Sequence, residues 1–275
     1  MSSRHFKGKG HASSSSASKS ASGSGNPQGK PTQESIASGA ATVGWALETL
    51  GIQKYGFIGG AAVSLLVQAQ GRRGRQTDDL DVIVQPTSTL TAESVSSLLS
   101  THEQTKLYFV EKYQEYVNKP FVRVAQNGGT VEIAIEIFDW VVWPQRRMYY
   151  DLNLAPNTQM MLSLSQRNTY TLNTAWLLRQ KFLAYYQRSD KRESDMQDIV
   201  SLFKILSLRG DQVTVTDPEE ITALKLVVEN ATISMKGWVL CEKIWPTSWA
   251  WDETYKRYYK YDSANNWDLV WAAET

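Results

Sequence analysis

Four acidic residues stand at spacings that could do chemistry. In "DDLDVIV", Asp79 and Asp81 flank one leucine at the head of a valine-rich strand. Side chains at i and i+2 of a strand share a face, about 6.6 Å apart by the usual rise. Asp79 and Asp81 therefore point one way, and Leu80, Val82 and Val84 the other. Two carboxylates this close repel each other, and each resists desolvation. A divalent cation relieves both costs. An oxygen-only site with incomplete protein ligation suits Mg²⁺, which keeps waters and takes phosphate oxygens from a substrate. A further acid is offered by "VEIAIEIFD": Glu132 and Glu136 share a parity with Ala134, opposite Ile133, Ile135 and Ile137, while Asp139 lies on the other parity.

Carboxylates that hold a metal-bound phosphate need a partner for the rest of the phosphate chain. The stretch "YGFIGGAAVSLLVQ" runs from a short strand straight into a helix through Gly59 and Gly60. Such a turn exposes backbone N–H groups at the positive end of the helix dipole, where phosphate binds well. It is neither a P-loop, since no Gly-Lys-Ser/Thr follows, nor a dinucleotide fingerprint.

Composition narrows the alternatives. The chain has 275 residues, 42% of them hydrophobic, with a formal net charge of +1, so any basic surface is local. One cysteine, Cys241, excludes an intramolecular disulfide and a cysteine-rich zinc site. The histidines His5, His11 and His102 form no cluster, and two of them lie in a Ser/Gly/Lys-rich N-terminal tail. Carboxylates must carry any chemistry. No apolar run reaches the ~18–20 residues of a membrane span, and the N-terminus has no apolar signal core. The expectation is an intracellular protein, cytoplasmic or nuclear, with no membrane partner.

Four regions follow from the patterning: a flexible tail over 1–34, a catalytic domain over 35–150, a helical domain over 151–230 and a Trp/Tyr-rich segment over 231–275. "ESIASGAATVGWALETLGI" has helical spacing with Gly51 as its C-cap, and "LTAESVSSLLSTH" reads as a second amphipathic helix. Asn127-Gly128 is a hairpin turn signal, because that turn needs positive φ, so Phe121–Ala125 should pair antiparallel with Thr130–Phe138. Thr169–Ser189 is expected to form one helix and "RESDMQDIVSLFKILSLRG" another, ended by Gly210. A third helix begins at Asp217 as N-cap with Pro218 at its first position. The spacing of aromatics in the last forty residues suggests a small WW-like sheet.

The motif "IGG…RQTDDLDVIV…IEIF" resembles the polymerase β-type nucleotidyltransferase superfamily, whose hallmark is a Gly-Gly or Gly-Ser helix start, Asp-hydrophobic-Asp on one strand and a third acid on a later strand. The Arg-x-Thr-x-Asp-hydrophobic-Asp form, here Arg75, Thr77, Asp79 and Asp81, looks most like the small stand-alone and abortive-infection toxin-like members. The segment "LLRQKFLAYYQRSDKRESDMQDI" resembles the helices that follow their catalytic domain, with Lys181, Arg188 and Asp198 on matching positions. The resemblance covers roughly residues 40–210. It implies an α+β fold, with a mixed sheet and flanking helices, then a helical domain and the aromatic-rich segment. It also implies transfer of a nucleoside monophosphate from a nucleoside triphosphate to an acceptor hydroxyl.

By the same resemblance, Asp79, Asp81 and Glu136 would be the catalytic and metal-binding acids for two Mg²⁺ ions, with Mn²⁺ as a substitute. Glu136 is preferred over Glu132 because it precedes the Ile-Phe strand end. Gly59, Gly60, Arg75, Thr77, Lys181 and Arg188 would bind the nucleotide, which ATP could supply. The third acid is Glu where Asp is common, and the gap from Gly60 to Asp79 is longer than in the tightest family pattern. The acceptor stays open between an RNA end, a protein and a small alcohol. An inactive nucleotide-sensing or protein-interaction module, and a kinase-like phosphoryl transfer, are the rival readings.

Overall fold

The computed structural model describes residues 29–114, 117–154, 159–164, 167–211, 213–231, 250–252, 257–262 and 268–271. The N-terminal tail up to residue 28, Cys241 and the side chains of the aromatic-rich C-terminal segment lie outside the described residues.

The protein is built on a seven-stranded mixed sheet of order β3-β4-β5-β2-β1-β7-β6. Its strands are β1 (Tyr55–Ile58), β2 (Asp79–Val84), β3 (Phe109–Gln114), β4 (Val117–Gln126), β5 (Gly129–Phe138), β6 (Gln159–Leu164) and β7 (Arg167–Leu172). β2 runs parallel to β5 and antiparallel to β1, and β1 runs parallel to β7. The helices are α1 (Gln33–Thr49), α2 (Gly59–Gln68), α3 (Ala92–Thr101), the single turn α4 (Arg147–Tyr150), α5 (Thr174–Gln187), α6 (Arg192–Arg209) and α7 (Pro218–Ala231). A second, three-stranded antiparallel sheet consists of β8 (Ala250–Asp252), β9 (Arg257–Asp262) and β10 (Asp268–Trp271).

Strand parity decides which side of the large sheet is core. Leu80, Val122 and Ile133 are fully buried, and α1 lies close on them: a Cβ at Gly39 would come within 3.1–3.3 Å of all three side chains. Helix α1 therefore covers the face opposite Asp79 and Asp81. Apolar burial there is the main stabilising term, at about 25 cal/mol per Å². On the other side of the chain, α5 packs on α6 and α7, and α2 packs on α6. Phe182 and Phe203 meet there with ring centroids 5.8 Å apart.

Local signals are followed closely in most elements. Asn127 and Gly128 have φ of 50° and 78°, and the hairpin they close pairs Phe121 with Ala134 through to Gln126 with Gly129. Gly51 and Gly210 take positive φ at the ends of α1 and α6. Asp217 Oδ1 accepts from the N–H groups of Glu219 and Glu220 at the start of α7.

One segment corrects the sequence reading. Thr169–Leu172 is not helical; it belongs to β7, which pairs with β6 and, through Thr171, with Phe57 of β1. In "TYTL" the first three residues are β-branched or aromatic, and Thr169, Thr171 and Leu172 are all buried, which suits an interior strand. The helix starts only after Asn173, whose Oδ1 accepts from the N–H of Ala175. Residues on both sides of position 150 thus contribute to one sheet.

Candidate active site

Strand pairing assembles the acids. In the parallel ladder between β2 and β5, Asp79 stands opposite Ala134 and Asp81 opposite Glu136. Residues opposite one another in a ladder share a face, so Asp79, Asp81 and Glu136 line one side of two central strands. Glu132 lies on that face too, but farther down β5. Its carboxylate is taken by Lys112 and by Arg123 at 3.2 Å. Burial alone would raise its pKa, but the two cations outweigh that and hold it below the usual range. Register distinguishes the two glutamates: Glu136 adjoins Asp81, whereas Glu132 is paired with Lys112 and Arg123 of the outer strands. Asp139 is buried elsewhere. It accepts from the N–H of Ala92 at 2.8 Å and from those of Val141 and Val142 at 3.0 and 3.1 Å, fixing the loop after β5 to the start of α3.

Asp81 is the focus of the charge. Burial first, then the nearby negative charges of Asp79 and Glu136, push its carboxyl up to about 7, against the opposing pull of Lys181 and Arg188. Thr77, itself buried, donates from Oγ1 to Asp79 Oδ1 at 3.0 Å and orients that side chain. Lys119 Nζ lies 3.2 Å from Glu136 Oε1.

The two glycines are required by contacts as well as by conformation. Gly59 opens α2 at φ 67°, and a Cβ there would fall 2.1 Å from Asp81 Oδ2. A Cβ on Gly60 would fall 2.1 Å from Arg75 Nη2. The bare backbone at the start of α2 therefore lies directly against the Asp81 carboxylate on one side and the Arg75 guanidinium on the other. No side chain caps this helix start, since Ile58 occupies the N-cap position. A helix start without a side-chain cap is the kind of place where an anion can be received.

Beyond the glycines lies a buried ion network. Arg75 donates to both oxygens of Asp198 from Nε at 2.6 Å and Nη2 at 2.8 Å. Lys181 bridges Asp198 at 2.7 Å and Asp195 at 3.0 Å, and Arg188 Nη2 contacts Asp195 at 2.7 and 2.8 Å. Asp195 and Asp198 are 1% exposed and Lys181 5%. Three cations share two carboxylates, and the formal excess of one positive charge faces Asp81. The sequence resemblance singled out Arg75, Lys181, Arg188 and Asp198. It missed Asp195, although Asp195 and Asp198 sit at i and i+3 on α6 and could have been read as one face meeting Lys181.

Hard oxygen donors with a charge deficit suit a divalent cation, and Asp79, Asp81 and Glu136 are the residues that would hold it. Among the described residues, however, no three His, Cys, Asp or Glu side chains are gathered as a ligand set. The ion pair with Lys119 shows where Glu136 is directed instead. No helix among the described residues is long and apolar enough to cross a membrane.

The seven-stranded mixed sheet with its flanking helices and the helical unit that follows it has the nucleotidyltransferase fold. One solved structure supports this. The crystal structure of an antigenic nucleotidyltransferase-like protein from Paracoccidioides brasiliensis superposes with a TM-score of 0.63 at 25% identity, covering 78% of this chain and 95% of that one. The antibiotic-resistance factor ANT(2'')-Ia aligns at a TM-score of 0.41 and 10% identity over 76% of this chain and 98% of that one. MenT4, a nucleotidyltransferase toxin from Mycobacterium tuberculosis, aligns at 0.42 and 14% over 74% and 67%. Those two superpositions are too loose to carry an argument. No family model matches the chain, and no curated protein matches it.

Proposed function

We propose that the protein transfers a nucleoside monophosphate from a nucleoside triphosphate to an acceptor hydroxyl and releases pyrophosphate. The observation that carries this reading is the contact of the uncapped Gly59–Gly60 helix start with Asp81, which in turn stands beside Glu136. A phosphate chain laid on that helix start brings its α-phosphorus to the carboxylates. Asp79 and Asp81 would hold a Mg²⁺ ion with the triphosphate, and Glu136 would join them for a second. Cations held by these residues would offset negative charge as the phosphoryl group is transferred.

The protein's own groups supply position and field, which is most of what such a transfer asks of them. Gly59 and Gly60 receive the β- and γ-phosphates on backbone N–H groups. Thr77 fixes Asp79. Arg75, Lys181 and Arg188, already ordered by Asp195 and Asp198, present their excess positive charge to the phosphates. Glu136, on the flank of β2 away from the phosphate cradle, faces the acceptor and takes the proton of its hydroxyl. A bond forms between that oxygen and the α-phosphorus, and the bond from the α-phosphorus to the bridging oxygen breaks.

The test is pyrophosphate release from each nucleoside triphosphate with Mg²⁺, using total RNA and total cell protein in turn as acceptor. Labelled acceptor should appear mole for mole with pyrophosphate, and Asp79→Ala/Asp81→Ala should abolish both. Formation of a nucleoside diphosphate would mean phosphoryl transfer and sink the reading. The ion pair of Glu136 with Lys119 favours a second reading, a nucleotide-binding module without turnover. Metal-dependent binding with no release under any acceptor would select it.

A further inference from the structure

The loop after β5 carries an aromatic group that the proposed chemistry does not use. Phe138 shares the strand face of Glu136 and lies two residues beyond it, one pleat or about 6.6 Å along β5. Trp143 stacks on Phe138, with centroids 5.4 Å apart and planes at 27°, and Tyr150 of α4 meets Trp143 edge-on at 5.3 Å. The three hydrogen bonds to Asp139 hold the intervening loop in place. Trp143 is nevertheless 37% exposed. Its ring stacks on Phe138 and meets Tyr150 edge to face, and the residue is left partly open to solvent.

The location of the rings selects their occupant. Phe138 follows Glu136 on the strand face that carries the acids, its ring partner Trp143 meets Tyr150, and the charges of Asp81, Arg146 and Arg188 are all felt at Tyr150. The ring cluster therefore adjoins the carboxylates beside which the phosphate chain must lie if the nucleotidyl-transfer reading holds. A nucleotide whose triphosphate lies on Gly59 and Gly60 extends its sugar and base away from α2, past Tyr150 and toward Trp143.

Resting on that reading, we infer that Phe138, Trp143 and Tyr150 form the platform on which the base of the bound nucleoside triphosphate stacks, with Trp143 as the contact surface. Stacking of a base on an aromatic side chain tolerates any base, because every base has a π-face. The platform therefore adds affinity without choosing strongly among the four.

Calorimetric titration of Mg²⁺ with ATP, and separately of Mg²⁺ with inorganic tripolyphosphate, separates base from phosphate. Trp143→Ala should weaken ATP roughly 5- to 100-fold and leave tripolyphosphate unchanged, and Trp143→Phe should retain most of the ATP affinity. Asp79→Ala should weaken both ligands. In the unaltered protein, a 2-aminopurine nucleoside triphosphate should lose fluorescence on binding, a readout that needs no variant to fold. Unchanged ATP affinity in Trp143→Ala, an equal loss for both ligands, or unquenched 2-aminopurine would overturn the platform and leave the phosphate site standing. If Asp79→Ala kept full affinity for both ligands while Trp143→Ala lost ATP, the phosphate site would fall instead. No binding of either ligand to the unaltered protein would overturn both.

Discussion

Removing the charge of Asp81 should stabilise the metal-free protein at neutral pH. Its carboxyl is held at about 7 by burial and by the charges of Asp79 and Glu136, against an ordinary value of 3.8. Between these values the folded chain binds more protons than the unfolded chain, so stability falls as pH rises, from full below the ordinary value to its floor above the folded one. The gap corresponds to about 4 kcal/mol. For a chain of this size that is a fall in Tm of roughly 8–16 °C. The assay is thermal and urea unfolding in chelator at pH 4.5, 6 and 8, for the unaltered protein and for Asp81→Asn. The unaltered protein should weaken across that range, and the variant should show a much flatter profile and be the more stable of the two at pH 8. Added Mg²⁺ should restore stability to the unaltered protein at pH 8 and do little for the variant. Equal pH slopes for the two proteins would refute the argument that Asp81 is held protonated by its surroundings.

Other perturbations separate the roles of neighbouring groups. Glu136→Gln should lower pyrophosphate release at least about 100-fold, on the scale of losing a transition-state contact, while Glu132→Gln should stay within a few-fold of the unaltered rate. Gly59→Ala should cost about 1–3 kcal/mol of unfolding free energy from the positive φ alone, and a nucleotide titration should show binding lost as its Cβ displaces Asp81. Asp198→Ala leaves Arg75 and Lys181 without a shared carboxylate and should cost about 3–5 kcal/mol in urea unfolding. The double variant Arg75→Met/Asp198→Leu should cost less than the sum of its single changes, because both ends of the buried pair go together.

The parts of this site that were legible in the sequence are those fixed by local chemistry. Gly59, Asn127, Gly128 and Gly210 each take the positive φ that few other residues adopt, and Asp217 caps α7 with its side chain. Strand parity placed Asp79 with Asp81 and Glu132 with Glu136, since period two needs no knowledge of neighbours. What parity cannot supply is register across strands, because the pairing of Asp81 with Glu136 depends on where β5 stops sliding against β2. Parity left the two glutamates equivalent, and only the matching Ile-Phe strand end favoured Glu136. The strand β7 was lost for a related reason: "TYTL" runs directly into a helical sequence, and its strand state is imposed by β1 and β6, far away in the chain.

The pairings within the ion network lay deepest out of reach, although the resemblance had named Arg75, Lys181, Arg188 and Asp198. Arg75 and Asp198 are 123 residues apart, and nothing local says that an arginine beside the phosphate cradle should first be tied to a helix two elements beyond the sheet. That tie has a chemical consequence. A cation free to swing onto a phosphate loses side-chain freedom when it binds, whereas Arg75, Lys181 and Arg188 are already held by Asp195 and Asp198 before any nucleotide arrives. The same ordering makes the field at Asp81 a property of the fold rather than of the ligand. The network thus joins stability to function: the contacts that dock α5 and α6 beside α2 also set the charge that a phosphate would meet.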